Sequence, residues 1–249
     1  MTDAEKDYKS ELIIGRNAVL EALRGGRTVD TLLVAAGSRT GSVTAIIAKC
    51  REKGVVIKDV DKKKLDSLCG GENHQGVAAY AGVHQYAELS DIIKTAAEKG
   101  GDALIVICDE IEDPHNLGAI IRTAEACGAC GIIIPKRRSV SLTGAVGKAS
   151  AGAVEYMPVA RVTNLGAAID ELKSNGFWIY GADMGGESWD KPDYSGKTAL
   201  IIGSEGKGIS RLLKEKCDFI VSLPMRGKIN SLNASVAAGI LMYEIIRKR

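Results

Sequence analysis

The stretch from residue 198 to the C-terminus restricts the fold more than any other part of this 249-residue sequence. It contains two short apolar runs, 198–202 and 219–223, with the length and composition of buried β-strands. A polar loop containing Gly, Ser or Asn follows each run, and the second loop leads into a long apolar helix that begins near Leu232. Loops at strand ends are where α/β sheets bind small ligands. The sequence therefore predicts a ligand site at these two loops.

The preceding part of the chain predicts two α/β domains. Apolar runs alternate with segments of helical periodicity over 102–197, which is typical of a mostly parallel sheet covered by helices on both faces. A smaller set of alternating strands and helices lies in 10–83. Between them, the apolar pattern thins into one helical segment that ends in two glycines. We therefore expect a small domain at 10–83, a linker at 84–101 and a larger domain at 102–249.

The charge balance bears on nucleic-acid binding. The net charge is only +2, so any contact with RNA must come from local basic clusters rather than from the charge of the whole protein. Four basic residues follow or neighbour predicted strand ends: Lys136, Arg137, Arg138 and Lys148. Side chains in this position either contact phosphates or lie on a solvated loop.

The six cysteines and the polar start of the sequence indicate a reduced, cytoplasmic protein, because several cysteines lie in apolar runs and no secretory signal precedes them. No apolar run approaches the roughly 20 residues of a membrane span. Cys127 and Cys130 form a CxxC pair, but no second pair or His cluster has the spacing of a zinc site. We therefore predict no metal and no membrane association.

The first strand-end loop has the sequence GSEGKG, from Gly203 to Gly208. Glycine-rich turns of this kind can expose backbone N–H groups to a phosphate, but the spacing fits neither GxGxxG nor GxxxxGK[ST]. Glu205 would repel a phosphate, which favours a cationic or neutral ligand. The loop is either a ligand loop or simply a tight turn.

A predicted helix after Asp113 carries two polar residues that have two interpretations each. Asn116 near the helix start is either an N-cap or a functional side chain. Arg122 is either a solvated helix residue or, because isoleucines flank it, a partly buried guanidinium that needs an anion such as a backbone phosphate.

Three segments together resemble the motifs of the SpoU (TrmH-like) RNA ribose 2′-O-methyltransferase family. They are NLGAIIR (116–122), IIGSEGKG (201–208) and LPMRGKINSLNAS (223–235), in the family's order. IIGRNAVLEAL (13–23) and HQG (74–76) further resemble the RlmB-type members, which methylate a guanosine in large-subunit (23S) ribosomal RNA. The resemblance covers nearly the whole chain.

The resemblance implies a fold and an assembly. The N-terminal domain would be a ribosomal-protein-like α/β module that binds RNA. The C-terminal domain would have a SPOUT-type parallel sheet with a trefoil knot, which periodicity alone never predicts because knots are rare. The family binds S-adenosylmethionine in the knot loops and acts as a homodimer whose active site draws on both subunits.

The resemblance also implies roles for particular residues. Backbone and apolar groups of six residues would contact the cofactor: Ile202, Gly203, Leu223, Met225, Leu232 and Ala234. Five residues would form the catalytic set: Asn116, Arg122, Glu205, Ser231 and Asn233. Arg122 would also contact RNA, together with Lys136, Arg137, Arg138 and Lys148. In this family the arginine is often assigned as the base, but a guanidinium pKa above about 12 makes a phosphate clamp equally plausible.

The predicted function is 2′-O-methylation of a guanosine in 23S ribosomal RNA. The alternatives are a transfer-RNA ribose methyltransferase of the same family and a non-catalytic RNA-binding factor of ribosome assembly. The intact catalytic set argues against the second alternative. We also expect a stable homodimer, because the apolar face of the last helix, with Val236, Ile240 and Tyr243, must be covered.

Overall fold

A computed structural model describes residues 10–27, 29–39, 41–82 and 84–249. In chain order the strands are β1 (Ser10–Ile14), β2 (Val29–Ala35), β3 (Val56–Val60), β4 (Val77–Gly82), β5 (Leu104–Cys108), β6 (Gly131–Pro135), β7 (Val159–Val162), β8 (Trp178–Ser188), β9 (Thr198–Ile202) and β10 (Phe219–Ser222). The α-helices are α1 (Arg16–Arg24), α2 (Ser42–Glu52), α3 (Lys62–Leu68), α4 (Leu89–Lys99), α5 (Pro114–Ala126), α6 (Gly144–Ala149), α7 (Leu165–Ser174), α8 (Arg211–Lys214) and α9 (Ala234–Arg247).

The chain forms two compact units. The first comprises the chain up to Gln85 together with Leu142–Glu155, and the second comprises Tyr86–Ser141 and Tyr156–Arg249. The continuous ranges 10–83 and 102–249 expected from the sequence differ from this division at Leu142–Glu155. In the part of the chain that is described, no helix is long and apolar enough to cross a membrane.

The first unit contains a four-stranded sheet in the order β1-β4-β2-β3. Strand β2 is parallel to β3, and β4 is antiparallel to both β1 and β2. Helices α1 and α2 cover one face, where their apolar residues join those of the strands in one core cluster. Helix α3 contributes Leu65 and the following Cys69 to the opposite face. The C-terminal ends of β1, β2 and β3 therefore lie together on one side of the sheet, and β4 begins there. We refer to this side, formed by strand ends, as one edge of the sheet.

Segment Leu142–Glu155 joins the first unit through polar and steric contacts. The Lys148 Nζ lies 2.6 Å from the Glu72 Oε2, and the Arg27 guanidinium lies 3.3 Å from the Glu155 carboxylate. A Cβ on Gly25 would lie only 2.6 Å from the Glu155 Cβ, so glycine permits this close approach. Sequence periodicity contains no information about such contacts, because they join residues far apart in the chain.

The second unit contains a six-stranded sheet in the order β10-β8-β9-β5-β6-β7, and all five neighbouring pairs are parallel. Every residue of the central strands β5 and β9 is buried. This explains their unbroken apolar sequences, since helices cover both faces of the sheet. The predicted α/β fold with a parallel sheet is confirmed.

Helix α4 differs from the expectation of a linker over 84–101. Its Ile92 and Ala96 are completely buried and belong to the same core cluster as β5 and α7. The two residues are four positions apart and therefore lie on one helix face. Gly131 of β6 provides the space, because a Cβ there would lie within 2.8 Å of three Ile92 side-chain carbons. Helix α4 is thus a structural element of the second unit.

Candidate active site

A cavity of about 230 Å³ opens where strands β9 and β10 end, beside the middle of β8. The loops that follow β9 and β10, together with the first turns of α9, form most of its wall. All six residues predicted to contact the cofactor line it: Ile202, Gly203, Leu223, Met225, Leu232 and Ala234. The structure therefore brings both predicted ligand loops to one site.

The cavity also includes residues that the sequence analysis missed. Ala182, Asp183 and Met184 of β8 form one wall, and the Asp183 Oδ1 lies 3.1 Å from the Lys214 Nζ. Strand β8 extends through these residues to Ser188, and its Ala182 pairs with Ile202, the last residue of β9. Asp183 and Met184 therefore lie level with the loop after β9, a placement that the strand register decides.

The loop 203–208 is a tight turn as well as part of the cavity wall. Its ends meet through a hydrogen bond of 3.0 Å from the Gly208 N–H to the Ser204 carbonyl oxygen. A Cβ on Gly203 would overlap the backbone of Gly208 and Ile209, so this position needs glycine. Gly206 and Gly208 have φ values of 87° and 67°, which other residues rarely adopt. The tight-turn interpretation is therefore confirmed, and the ligand-loop interpretation stays a prediction for a loop that lines the cavity.

Asn116, Glu205 and Asn233 form one hydrogen-bond network beside the cavity. The Glu205 Oε1 accepts hydrogen bonds from the Asn116 Nδ2 at 3.0 Å, the Asn233 Nδ2 at 2.6 Å and the Ala234 backbone N–H at 3.3 Å. The Asn233 Nδ2 also donates to the Asn116 Oδ1 at 2.8 Å. This network joins α5, the loop after β9 and the start of α9.

Local capping explains why these two asparagines are available to the network. Asp113, not Asn116, caps α5, because its carboxylate accepts the His115 N–H and Pro114 occupies the first turn. The N-cap interpretation of Asn116 is therefore wrong, and its side chain is buried. Asn233 caps α9 with its Oδ1, which leaves its Nδ2 free to donate to Glu205.

Ser231 and Glu205 line the cavity, whereas Arg122 does not. Arg122 is exposed on α5, although Ile120, Ile121 and Ala124 beside it are buried. Successive residues of a helix point about 100° apart, so buried neighbours in sequence do not bury the arginine. Of the two interpretations of Arg122, the solvated helix residue is confirmed within a single chain, and partial burial is wrong. Within one chain, the structure brings four of the five predicted catalytic residues together.

The predicted RNA-binding residues lie in both units. Lys136, Arg137 and Arg138 are exposed directly after β6 of the second unit, and the Arg138 guanidinium lies 2.9 Å from the Glu110 carboxylate. Lys148 belongs to the first unit. These residues therefore do not form one cluster within a single unit.

The cysteines lie in environments that disfavour thiolates. Burial raises the pKa of the Cys108 thiol to about 12 and raises the pKa of Cys127 and of Cys130. Within 10–27, 29–39, 41–82 and 84–249, no group of three or more His, Cys, Asp or Glu residues is placed to hold a metal ion.

Replacement of Glu205 with Ala should lower the free energy of unfolding by about 1–3 kcal/mol, because the buried Asn116 amide loses its acceptor. Urea denaturation measures this change. Glu215→Ala is the matched control, because that carboxylate is exposed and its ion pair with Arg211, at 3.6 Å, contributes little to stability. Equal stability of the two variants would contradict the structural role of the network.

The chain matches two family models, one in each part of the sequence. A model described as the SpoU rRNA Methylase family matches residues 103–243, and one described as RNA 2′-O ribose methyltransferase substrate binding matches residues 12–87. A Bacillus subtilis protein, YacO, whose name assigns it to the TrmH family of tRNA/rRNA methyltransferases, is 51% identical over 240 residues. These residues are 96% of each chain.

Two solved structures are similar over both units. The rRNA methyltransferase of Sinorhizobium meliloti with bound AdoMet (S-adenosylmethionine) has a TM-score of 0.81 and 28% identity, and the match covers 96% of this chain and 87% of that one. The SpoU methyltransferase AviRb of Streptomyces viridochromogenes in complex with AdoMet has a TM-score of 0.80 and 26% identity, with coverages of 96% and 90%.

Proposed function

Because the chain belongs to the SpoU rRNA methylase family, and is therefore an S-adenosylmethionine-dependent RNA methyltransferase, we propose that it methylates a guanosine 2′-hydroxyl in 23S ribosomal RNA in the cytoplasm. The similarity to a ribosomal-RNA methyltransferase over 96% of the chain carries this proposal. The similarity includes residues 12–87, which match the substrate-binding model, and this supports RNA binding by that unit.

The lining and the charge of the cavity suit S-adenosylmethionine. Apolar side chains and the backbone of the glycine loop fit an adenine, as in other largely apolar pockets. Asp183 and Glu205 add carboxylates to the wall, which suits a ligand with a positive sulfonium. We propose that Ile202, Gly203, Leu223, Met225, Leu232 and Ala234 hold the cofactor. When bound, it supplies an activated methyl group.

The reaction forms a bond from the ribose oxygen to the methyl carbon, breaks the bond from that carbon to the sulfonium sulfur, which leaves as a neutral thioether, and releases the hydroxyl proton. The chain must therefore align the ribose and provide an acceptor for that proton. We propose that Arg122 binds the phosphate beside the target ribose, because a guanidinium rarely loses its proton at neutral pH. Asn116, Glu205 and Asn233 hold the cavity loops in place, and Ser231 is positioned in the wall for a polar contact.

We further propose that two copies of the chain complete the active site, with the family's trefoil knot in each. Arg122 does not line the cavity of its own chain, so another copy has to supply it. Helices α5 and α9 are neighbours, and α9 exposes Val236, Ile240 and Tyr243 by 50%, 36% and 56%. A dimer through these helices would cover the apolar side chains and bring Arg122 of one copy near the cavity of the other.

The dimer has a direct test. Val236→Glu should produce a monomer, because one carboxylate in each copy would be buried against apolar side chains. Light scattering at micromolar concentration measures the mass. Val56→Glu is the matched control, since Val56 is 53% exposed in the first unit. A monomeric unsubstituted protein, or a dimer that survives Val236→Glu, would contradict this interface.

The substrate is tested with labelled S-adenosylmethionine and unmodified 23S ribosomal RNA or transfer RNA. Nuclease digestion and mass spectrometry should locate a 2′-O-methylguanosine in 23S RNA. Label only in transfer RNA would instead support the first alternative. Intact cofactor binding without label in free RNA or in precursor ribosomal particles would support a non-catalytic factor.

A further inference from the structure

Two segments of the first unit, each noted for its family resemblance, meet in space although they lie 59 residues apart. Arg16 belongs to IIGRNAVLEAL, and Gln75 belongs to HQG. The Arg16 Nε donates to the Gln75 carbonyl oxygen at 2.8 Å, and the Arg16 backbone N–H donates to the Gln75 Oε1 at 3.3 Å. The Arg16 Nη1 also donates to the Ser42 Oγ at 3.3 Å. These contacts lie at the edge where β1 and β2 end and β4 begins.

The loop that holds Arg16 is fixed by its own hydrogen bonds. His74 is buried, its Nδ1 accepts the Gly76 N–H at 2.9 Å, and its Nε2 therefore carries the proton donated to the Asp66 carboxylate at 2.9 Å. Gln75 has a φ of 52°, which is uncommon for a residue other than glycine. Such a backbone persists only when its surroundings hold it, and strained backbone occurs often at ligand sites. The loop thus presents a rigid polar surface.

Among the residues that the structure describes, Arg16 has no carboxylate counterion. Among the other arginines of this unit, Arg24 pairs with Glu21 at 2.7 Å, Arg27 with Glu155 at 3.3 Å and Arg39 with Asp59 at 2.5 Å, whereas Arg51, like Arg16, forms no ion pair with a described residue. Across the described part of the chain, no carboxylate forms an ion pair with Arg16. A guanidinium has five N–H donors, and the contacts to Gln75 and Ser42 use only two of them. An anion can therefore bind the remaining donors.

We propose that Arg16 binds a backbone phosphate of the substrate RNA, with Gln75 as the residue that positions it. The inference rests on the proposed function, because it names the contact by which the first unit holds that substrate. A guanidinium held in a fixed orientation matches a phosphate better than a mobile point charge does. Lys62, Lys63 and Lys64 are exposed after β3 at the same sheet edge and add positive charge there. Contacts of this kind fix the orientation of the RNA without reading its bases.

The test measures binding of unmodified 23S ribosomal RNA by the full-length protein over a range of KCl concentrations. Arg16→Met should weaken binding about tenfold and make the slope of log affinity against log salt shallower by about 1. Arg51→Met is the matched control, because Arg51 is exposed in the last turn of α2, at the opposite edge of the sheet. Arg16→Lys should recover most of the slope, since it keeps the charge.

A purely structural role for Arg16 predicts a different result. In that case Arg16→Met would lower the melting temperature but leave the salt slope unchanged, and this outcome overturns the proposal. Equal effects of Arg16→Met and Arg51→Met overturn it too. The melting temperature of each variant serves as the folding control. If the unsubstituted protein methylates RNA and only the salt-slope prediction fails, the phosphate contact of Arg16 is rejected and the proposed function stands. If the unsubstituted protein neither binds nor methylates RNA, the proposed function itself fails.

Discussion

Arg122→Ala should reduce the rate constant of methyl transfer at least about 10³-fold, which corresponds to about 4 kcal/mol of transition-state stabilisation. Its affinity for S-adenosylmethionine should stay within about twofold, because Arg122 does not line the cavity of its own chain. Single-turnover methylation measures the rate, and calorimetry measures cofactor binding. A large loss of cofactor affinity, or an unchanged rate, would contradict this division of roles.

Arg122→Lys separates the two roles considered for this arginine. A lysine keeps the positive charge but lacks the planar fork of donors, so a phosphate clamp should recover part of the rate and of the RNA affinity. If Arg122 is instead the base, the lysine variant should change the pH dependence of the rate, because its pKa is about 10.4. An unchanged pH profile with weaker RNA binding would support the clamp.

Gly203→Ala should lower the affinity for S-adenosylmethionine at least about 100-fold. An added Cβ would overlap backbone atoms of Gly208 and Ile209, which cannot move without opening the loop that lines the cavity. Calorimetry measures the affinity. Gly227→Ala is the matched control, because a Cβ there meets no atom within 4 Å. Equal affinities of the two variants would show that the loop tolerates displacement.

Mixing the Arg122→Ala and Gly203→Ala chains tests whether Arg122 of one copy acts on the cavity of the other. An equimolar mixture gives about half mixed dimers, each with one cavity from the Arg122→Ala chain and an arginine from the Gly203→Ala chain. If Arg122 acts on the other copy's cavity, the mixture should recover about a quarter of the unsubstituted activity. Absence of recovery, with subunit exchange shown by mass spectrometry, would place the arginine and the cavity in the same chain.

The sequence alone was sufficient for the fold class and for the prediction that the loops after β9 and β10 share one site. Apolar runs such as 198–202 predict buried strands because an element covered on both faces must be apolar throughout. Parallel strands place their following loops at one edge, so loops far apart in the chain could be predicted to share a site. The six residues that the family resemblance assigned to the cofactor all line one cavity.

Only the tertiary structure decided which polar groups meet. Asn116 bonds to Glu205 and Asn233, which are 89 and 117 residues away, and the Lys148 Nζ lies beside Glu72 of the first unit. Helix α4 is part of the core rather than a linker, and Arg122 is exposed although its neighbours are buried. Periodicity reports which face of an element is apolar, because burial repeats along the element. It does not report the partner of a polar side chain, because that depends on how distant elements pack together.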